Sequence, residues 1–242
     1  MVIGDHLVMT AEPMHLCGSW YAVPAEVGQP AVLDAFGLAG AYPVSMSVGS
    51  AAWTADRHDW DRGEHGRCAR MYVTPGLDGW ILVFGTVPEV AHTTGEGAFE
   101  RAVRAHTAWL SGRFGTAHWY GASCGDGWTS WCLAEDGAVI ARHGVVVPEP
   151  PGLRYYDDLV PLSTPPSPRH EQLTVDGGAV PLRPRRRPTV PEHAHATTVA
   201  ARLSVNPAAL GPHTTVTGHG VLALTACGRQ PRADFRRDPR RK

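Results

Sequence analysis

Proline density divides this chain more sharply than any other feature of its sequence. Eleven of the 21 prolines fall within residues 148–191. Each proline fixes its backbone φ angle and lacks a hydrogen-bond donor, so a continuous helix or a central strand is excluded there. We therefore predict an extended insert at 148–194, between an ordered core domain at 1–147 and a short ordered return at 195–227.

Arginine is concentrated in that insert and at the end of the chain. The insert contains Arg183, Arg185, Arg186 and Arg187, which form either a solvated cluster or a contact for an acidic partner. Residues 229–242 carry seven basic and two acidic residues, which predicts a disordered basic tail at 228–242. The net charge of the whole chain is only −1, so it gives no general reason to expect a nucleic acid or a membrane as partner.

Clear secondary-structure patterns follow one another without interruption from Met71 to Gly144. Turn signals at 75–79 and at 135–137 each separate two strand-like runs, and apolar residues recur at helical spacing between them. The predicted elements are, in order, strands at 71–74 and 80–85, a helix at 99–110, and strands at 116–121, 128–134 and 138–147. This order predicts an α+β fold, in which one main helix covers a mostly antiparallel sheet.

Weaker patterns flank this stretch on both sides. On the N-terminal side we predict strands at 19–23 and 43–48, a short helix at 31–38 and an exposed loop at 53–68. On the C-terminal side, Thr197 or Thr198 caps a predicted helix through Leu203, and a strand at 221–225 returns to the core.

Distinctive residue combinations, most of them with aromatic residues, occur in four parts of the chain. They are Tyr72–Pro75 with Asp78–Trp80, Phe114–Gly121, Ala134–Gly137 and Thr217–Thr225. In these segments the chain resembles a group of uncharacterised, mostly actinobacterial proteins. The resemblance implies no activity, no functional residue is carried over from it, and the proline-rich insert is not part of its pattern.

The N-terminus and the cysteines indicate a cellular compartment. Met1–His6 has an early acid and no basic segment before an apolar core, so we expect no secretory signal. No apolar stretch approaches the ~20 residues that a membrane-spanning helix needs. The five cysteines are scattered without paired spacing, which argues against a disulfide framework. We therefore predict a cytoplasmic protein without a membrane partner.

The densest set of candidate metal ligands lies between His58 and Cys68. His65 and Cys68 have the short spacing that is typical of ligand pairs in zinc sites, and His58 is the third candidate. A hydrated polar loop is the alternative interpretation of this segment. His193 and His195 form a second, weaker candidate pair.

A cysteine in a glycine-flanked turn is the best candidate for nucleophilic catalysis. Cys124 lies six residues after His118 and two before Asp126, and backbone donors of such a turn help to stabilise a thiolate. The alternative is a small residue in a tight turn. Glycine motifs for phosphates or dinucleotides are missing from the sequence, so we expect no cofactor.

Aromatic residues suggest a binding surface. Trp119, Tyr120 and Trp128 are candidate ligand-binding residues, because alternation along a strand sends Trp119 and Tyr120 to opposite faces. Core packing is the alternative for all three. Residues 199–210 resemble a helix-turn-helix in spacing, but the second helix is too short to fill a major groove, which favours a packing role.

Two hypotheses on function follow, and a third is less favoured. The first is a cytoplasmic, non-enzymatic binding protein, such as an immunity, antitoxin-like or regulatory protein, whose aromatic-rich sheet face binds a protein partner or a small molecule. The second is a small enzyme of specialised metabolism with a Cys/His/Asp site or a metal site. The third is a DNA-binding regulator. We favour the first, because catalytic motifs are missing while aromatic residues are abundant.

Overall fold

The computed structural model describes residues 11–58, 68–95, 97–125, 127–144 and 194–229. Almost the whole predicted insert, residues 230–242 of the predicted tail, and the candidate site residues His65 and Asp126 lie outside this part of the chain. The strands are β1 Gly18–Pro24, β2 Ala39–Val44, β3 Arg70–Leu77, β4 Trp80–Phe84, β5 Thr116–Ala122, β6 Thr129–Glu135, β7 Ala138–His143, β8 Val216–Thr217 and β9 Gly220–Leu224. The helices are α1 Gln29–Ala35, α2 Met46–His58, α3 Pro88–Ala91, α4 Ala98–Phe114, α5 Ala196–Leu203 and α6 Ala226–Arg229.

All the described strands belong to one antiparallel sheet. Its order is β2-β9-β3-β4-β1-β5-β6-β7, and β8 pairs with the end of β3. The fold is α+β with an antiparallel sheet, as the sequence predicts. Strand β9 lies between β2 and β3, so the C-terminal segment forms an interior strand of the sheet.

Two tight turns account for the two predicted hairpins. Asp78 and Gly79 both have positive φ angles, of 46° and 84°, as do Asp136 and Gly137, with 47° and 84°. Two successive residues of this kind form the type I′ turn, whose twist matches that of paired strands. The first turn is shorter than predicted, because β3 continues to Leu77 through an irregularity of register between Val73 and Gly76. Such an irregularity is one of the places where a sheet tolerates a proline, here Pro75.

Both faces of the sheet are covered. Helix α4, the longest, packs on β5 and β6 over a core that contains Tyr21, Trp119 and Cys132. Helices α2 and α5 pack on the opposite face, over a core that contains Trp20 and Tyr120. The sequence predicts one main helix over one face of the sheet, whereas the structure has helices on both faces.

Helix α2 differs from the prediction. Strand β2 ends at Val44 and the helix runs from Met46 to His58, whereas the sequence predicts a strand to residue 48 and a loop from residue 53. Ser45 precedes the helix, and its hydroxyl accepts a hydrogen bond from the backbone N–H of Val48. The small residues of this helix obscure its period, although Met46, Gly49 and Trp53 face the sheet at helical spacing.

The helix-turn-helix-like segment packs against the sheet. In α5, the buried residues Ala196, Val199 and Ala200 face the core, and the helix is capped by His195 rather than by a threonine. Asn206 caps the next element, which is a 3-10 turn of three residues, Pro207–Ala209. This turn is too short to fill a major groove, as expected.

Candidate metal centre

Two groups of cysteine and histidine side chains lie at one end of the sheet. The start of β1 pairs with the end of β5 through Gly18 and Ala122, and the start of β3 pairs with the end of β9. Because β4 runs antiparallel to both β1 and β3, all these strand ends lie at the same end of the sheet. The first group consists of His15, Cys17, His58 and Cys124, and the second of Cys68, His92 and Cys227.

In the first group, four potential ligand atoms converge. The two cysteine Sγ atoms and one ring nitrogen from each histidine all lie within 4.8 Å of one another. Cys17 is half-buried, and the other three residues are exposed. The four residues come from three distant parts of the chain, so the fold brings them together.

Strand register and a glycine contact explain this convergence. Cys17 directly precedes Gly18, and Cys124 follows Ala122 by two residues, so the Gly18–Ala122 pair brings the two cysteines to the same place. Gly18 has a φ of +132°, and a Cβ atom there would lie 2.8 Å from the ring of Trp53. The missing side chain lets α2 cross close to the start of β1, and His58 is the last residue of α2.

The ring of His58 is held in one orientation. Its Nδ1 atom lies 2.9 Å from the carbonyl oxygen of Thr54, one helical turn earlier. A carbonyl only accepts, so Nδ1 is the donor in this contact, and in the neutral ring Nε2 is then the nitrogen with the lone pair. That Nε2 atom lies 3.6 Å from Sγ of Cys124. A histidine that donates one ring nitrogen to a carbonyl and presents the other to a cluster of ligands is typical of metal sites.

The predicted catalytic set does not form a cluster of its own in the described residues. His118 lies in the core, its ring stacked on Trp80 at 5.1 Å between centroids and its Nδ1 atom 3.1 Å from the hydroxyl of Tyr120. Burial lowers the pKa of His118 to about 4. Cys124 instead contacts His58, and its hydrogen bond with Cys17 raises the pKa of its thiol. Asp126 lies outside the described residues.

The predicted metal ligands are divided between the two groups. His58 belongs to the first and Cys68 to the second, while His65 lies outside the described residues. Of the second candidate pair, His193 also lies outside them, and His195 accepts a hydrogen bond from the backbone N–H of Thr197 as a helix cap. His58 and Cys68, which the sequence places in one candidate site, therefore belong to different groups.

The candidate ligand-binding aromatics are mostly core residues. Trp119 and Tyr120 point to opposite faces of the sheet, as predicted, but only 1% of Trp119 and 0% of Tyr120 is exposed. Trp128 is half-buried, with its ring edge-on to Trp119 at 6.4 Å and close to Gly121. Because helices cover both faces, Trp119 and Tyr120 cannot form the exposed aromatic face that the sequence suggests.

Sequence reasoning missed four of the clustered residues. His15 and Cys17 have the short spacing of a ligand pair, and this local signal was sufficient to suggest them. His92 and Cys227 stand alone in the sequence, far from each other and from Cys68. Only the pairing of the strands brings them together.

Comparison of the chain with protein-family models, curated proteins and solved structures returned no match. The resemblance to actinobacterial proteins therefore remains a prediction. Among the described residues, no helix combines the length and the apolar character needed to cross a membrane.

Proposed function

We propose that this chain is a zinc-binding protein in which His15, Cys17, His58 and Cys124 hold one Zn²⁺ ion. The observation that carries this proposal is the convergence of four ligand atoms within 4.8 Å of one another. In a tetrahedral zinc site with the usual bond lengths, neighbouring ligand atoms are about 3.3–3.8 Å apart. The 3.6 Å between Nε2 of His58 and Sγ of Cys124 lies within this range.

The kinds of ligand atom favour zinc over other common ions. Two thiolates and two imidazoles are a poor set for Mg²⁺ or Ca²⁺, which prefer oxygen ligands. They match the two-cysteine, two-histidine set of many structural zinc sites. Coordination needs reduced cysteines, which fits the predicted cytoplasmic location.

The proposed role of the ion is structural. Four protein ligands fill a tetrahedral shell, whereas catalytic zinc sites keep one position for water or substrate. The ion would connect the segment before β1, the end of α2 and the turn after β5, through Cys17, His58 and Cys124. This arrangement favours a non-enzymatic role for Cys124 over that of a nucleophile.

Metal analysis of the purified full-length chain tests this proposal. His58→Ala and Cys124→Ser replace exposed side chains, so neither opens the core, and each is expected to remove one equivalent of zinc. Cys132→Ala is the matched control, because Cys132 is a cysteine outside both groups that is buried beneath α4. Its zinc content should equal that of the wild type.

Cobalt substitution gives a second readout. Tetrahedral Co²⁺ bound to thiolates absorbs visible and near-ultraviolet light, and His58→Ala should reduce this absorption while Cys132→Ala leaves it unchanged. The proposal is overturned if zinc content is the same in His58→Ala, Cys124→Ser and the wild type. It is also overturned if mass spectrometry of freshly purified protein finds Cys17 and Cys124 joined in a disulfide.

A further inference from the structure

We infer that Cys68, His92 and Cys227 form a second zinc-binding site, which shares no ligand with the first. These residues lie beside the paired ends of β3 and β9, two strands away from β1. The inference does not depend on the proposed function, since either site can hold an ion without the other.

The central observation is a ring nitrogen that faces two sulfur atoms. Nε2 of His92 lies 3.3 Å from Sγ of Cys68 and 3.2 Å from Sγ of Cys227. The Cys68 and Cys227 thiols also hydrogen-bond each other, and the three candidate ligand atoms all lie within 4.8 Å of one another. A single cation bound between them would contact all three ligand atoms at once, at separations close to those of a zinc site.

Backbone hydrogen bonds position the two cysteines. Cys68 lies two residues before β3 and Cys227 three residues after β9, and these strands pair through Arg70 and Leu224. Beyond the last pair, the backbone N–H of Thr225 donates to the carbonyl of Ala69 at 3.0 Å, and its hydroxyl donates to the carbonyl of Cys68. The thiols therefore meet at a fixed place, rather than through the chance approach of flexible surface side chains.

The histidine is also held by its element. His92 directly follows α3 as its C-cap, and its backbone N–H donates to the carbonyl of Pro88 at 3.0 Å. Pairing of Tyr72 with Phe84 places the end of β4, and thus the start of α3, beside the start of β3. Cys68 is buried, Cys227 is half-buried and His92 is exposed, so the site lies at the surface with one sulfur in the core.

Within the part of the chain that the structure describes, this group has three members. Two thiolates and one imidazole are a ligand set that zinc accepts, and the soft sulfur atoms disfavour Mg²⁺ and Ca²⁺. The predicted ligand is therefore a divalent ion of the zinc class. A bound ion would connect α3, the start of β3 and helix α6.

Zinc content measured on single and double histidine variants of the full chain separates the two sites. We expect two equivalents of zinc in the wild type, one in His92→Ala, one in His58→Ala and none in the double variant. His213→Ala is the matched control, because it removes an exposed histidine outside both groups and should keep both equivalents. Cys227→Ser should match His92→Ala and keeps the buried Cys68 in place.

Failure of the inference is distinguishable from failure of the proposed function. If His92→Ala and Cys227→Ser retain all the zinc while His58→Ala loses it, the second site is overturned and the first stands. If the reverse is found, the first site is overturned and the second stands. A disulfide between Cys68 and Cys227 in freshly purified protein would also overturn the inference.

Discussion

Asp56 and Arg70 form a two-point ion pair that connects helix α2 to the start of β3. Nε of Arg70 lies 2.5 Å from Oδ2 of Asp56, and its second terminal nitrogen lies 2.9 Å from Oδ1. Asp56 precedes His58 by two residues, and Arg70 follows Cys68 by two residues. The pair therefore joins the end of α2, where His58 lies, to the start of β3, which follows Cys68.

Asp56→Ala is expected to lower the free energy of unfolding by about 2 kcal/mol and to weaken zinc binding at both sites. The side chains of Asp56 and Arg70 are 9% and 28% exposed, so removal of the carboxylate leaves a partly buried guanidinium without its ion-pair partner. Asp34→Ala is the matched control, since Asp34 also pairs with an arginine, Arg113 at 2.5 Å, but is 72% exposed. The free energy of unfolding of Asp34→Ala should fall by less than about 1 kcal/mol. Urea unfolding measures both values, and equal losses would contradict the role of the Asp56–Arg70 pair.

Stability should fall in mild acid because of buried histidines. Burial lowers the pKa of His118 and of His106 to about 4 in the folded protein, from an ordinary value near 6.5. Between these values the unfolded chain binds more protons, so each histidine contributes stability that is complete above about pH 6.5 and is lost as the pH falls toward 4. For each of them, the free energy of unfolding should drop by about 2 kcal/mol between pH 7 and pH 5.

His118→Phe isolates one of these contributions. The phenyl ring keeps the stacking on Trp80, and the hydroxyl of Tyr120 keeps its contact with Ser204 at 3.1 Å. Urea unfolding at pH 7 and pH 5 measures the drop in the free energy of unfolding between the two values. This drop should be smaller for His118→Phe than for the wild type. Tyr120→Phe is the control, because it removes the hydroxyl beside Nδ1 of His118 but keeps the buried imidazole. Since burial is what lowers the pKa of His118, the drop in the free energy of unfolding should match that of the wild type. An unchanged loss in His118→Phe would contradict the prediction.

The sequence predicts the central part of the fold because the signals there are local. Asp78-Gly79 and Asp136-Gly137 have the backbone freedom that a tight hairpin turn needs, and the apolar period of α4 is regular. Local sequence patterns do not predict helix α2. The helix packs through Gly49 closely against Tyr72, and this contact depends on β3, a separate element of the chain. Covering of the second face by α2 and α5 could not be predicted for the same reason.

The candidate site shows the same division between local and distant information. Short spacings or a turn identify His58, Cys68 and Cys124 as candidates, but these local patterns group each of them with its neighbours in the sequence. Strand pairing instead brings Cys124 close to Cys17 and Cys68 close to Cys227, just beyond the paired strand ends. Such pairing depends on the whole sheet, so no local pattern contains it.

Gly49→Ala is expected to destabilise the protein by about 2 kcal/mol or more, although alanine is the better helix former. A Cβ atom at this position would lie 2.0 Å from the buried ring of Tyr72, so α2 must move away from β3. Gly112→Ala is the control in helix α4, where the nearest atom to a new Cβ is at 3.4 Å and ordinary contact is possible. It should be neutral or stabilising by up to about 1 kcal/mol, as measured by thermal unfolding. Two variants of similar stability would contradict the close packing of α2.

Gly228→Ala is expected to weaken the second zinc site selectively. Gly228 follows Cys227, and a Cβ atom there would lie 2.0 Å from the carbonyl oxygen of Ala69. Backbone atoms cannot yield as a flexible side chain does, so helix α6 must shift and carry Cys227 away from Cys68. Changes to residues that position metal ligands usually lower affinity by about 10–100-fold, and we expect a loss in this range.

Competition with a coloured zinc chelator measures this loss at each site. The His58→Ala background contains only the second site, and the His92→Ala background contains only the first. Gly228→Ala should lower zinc affinity in the former and leave it unchanged in the latter. Gly211→Ala is the matched control, because no atom lies within 4 Å of a Cβ there, and it should change neither affinity. Equal losses at both sites would indicate general unfolding, and unchanged affinity at the second site would contradict the positioning of Cys227 by the close approach of Gly228 to Ala69.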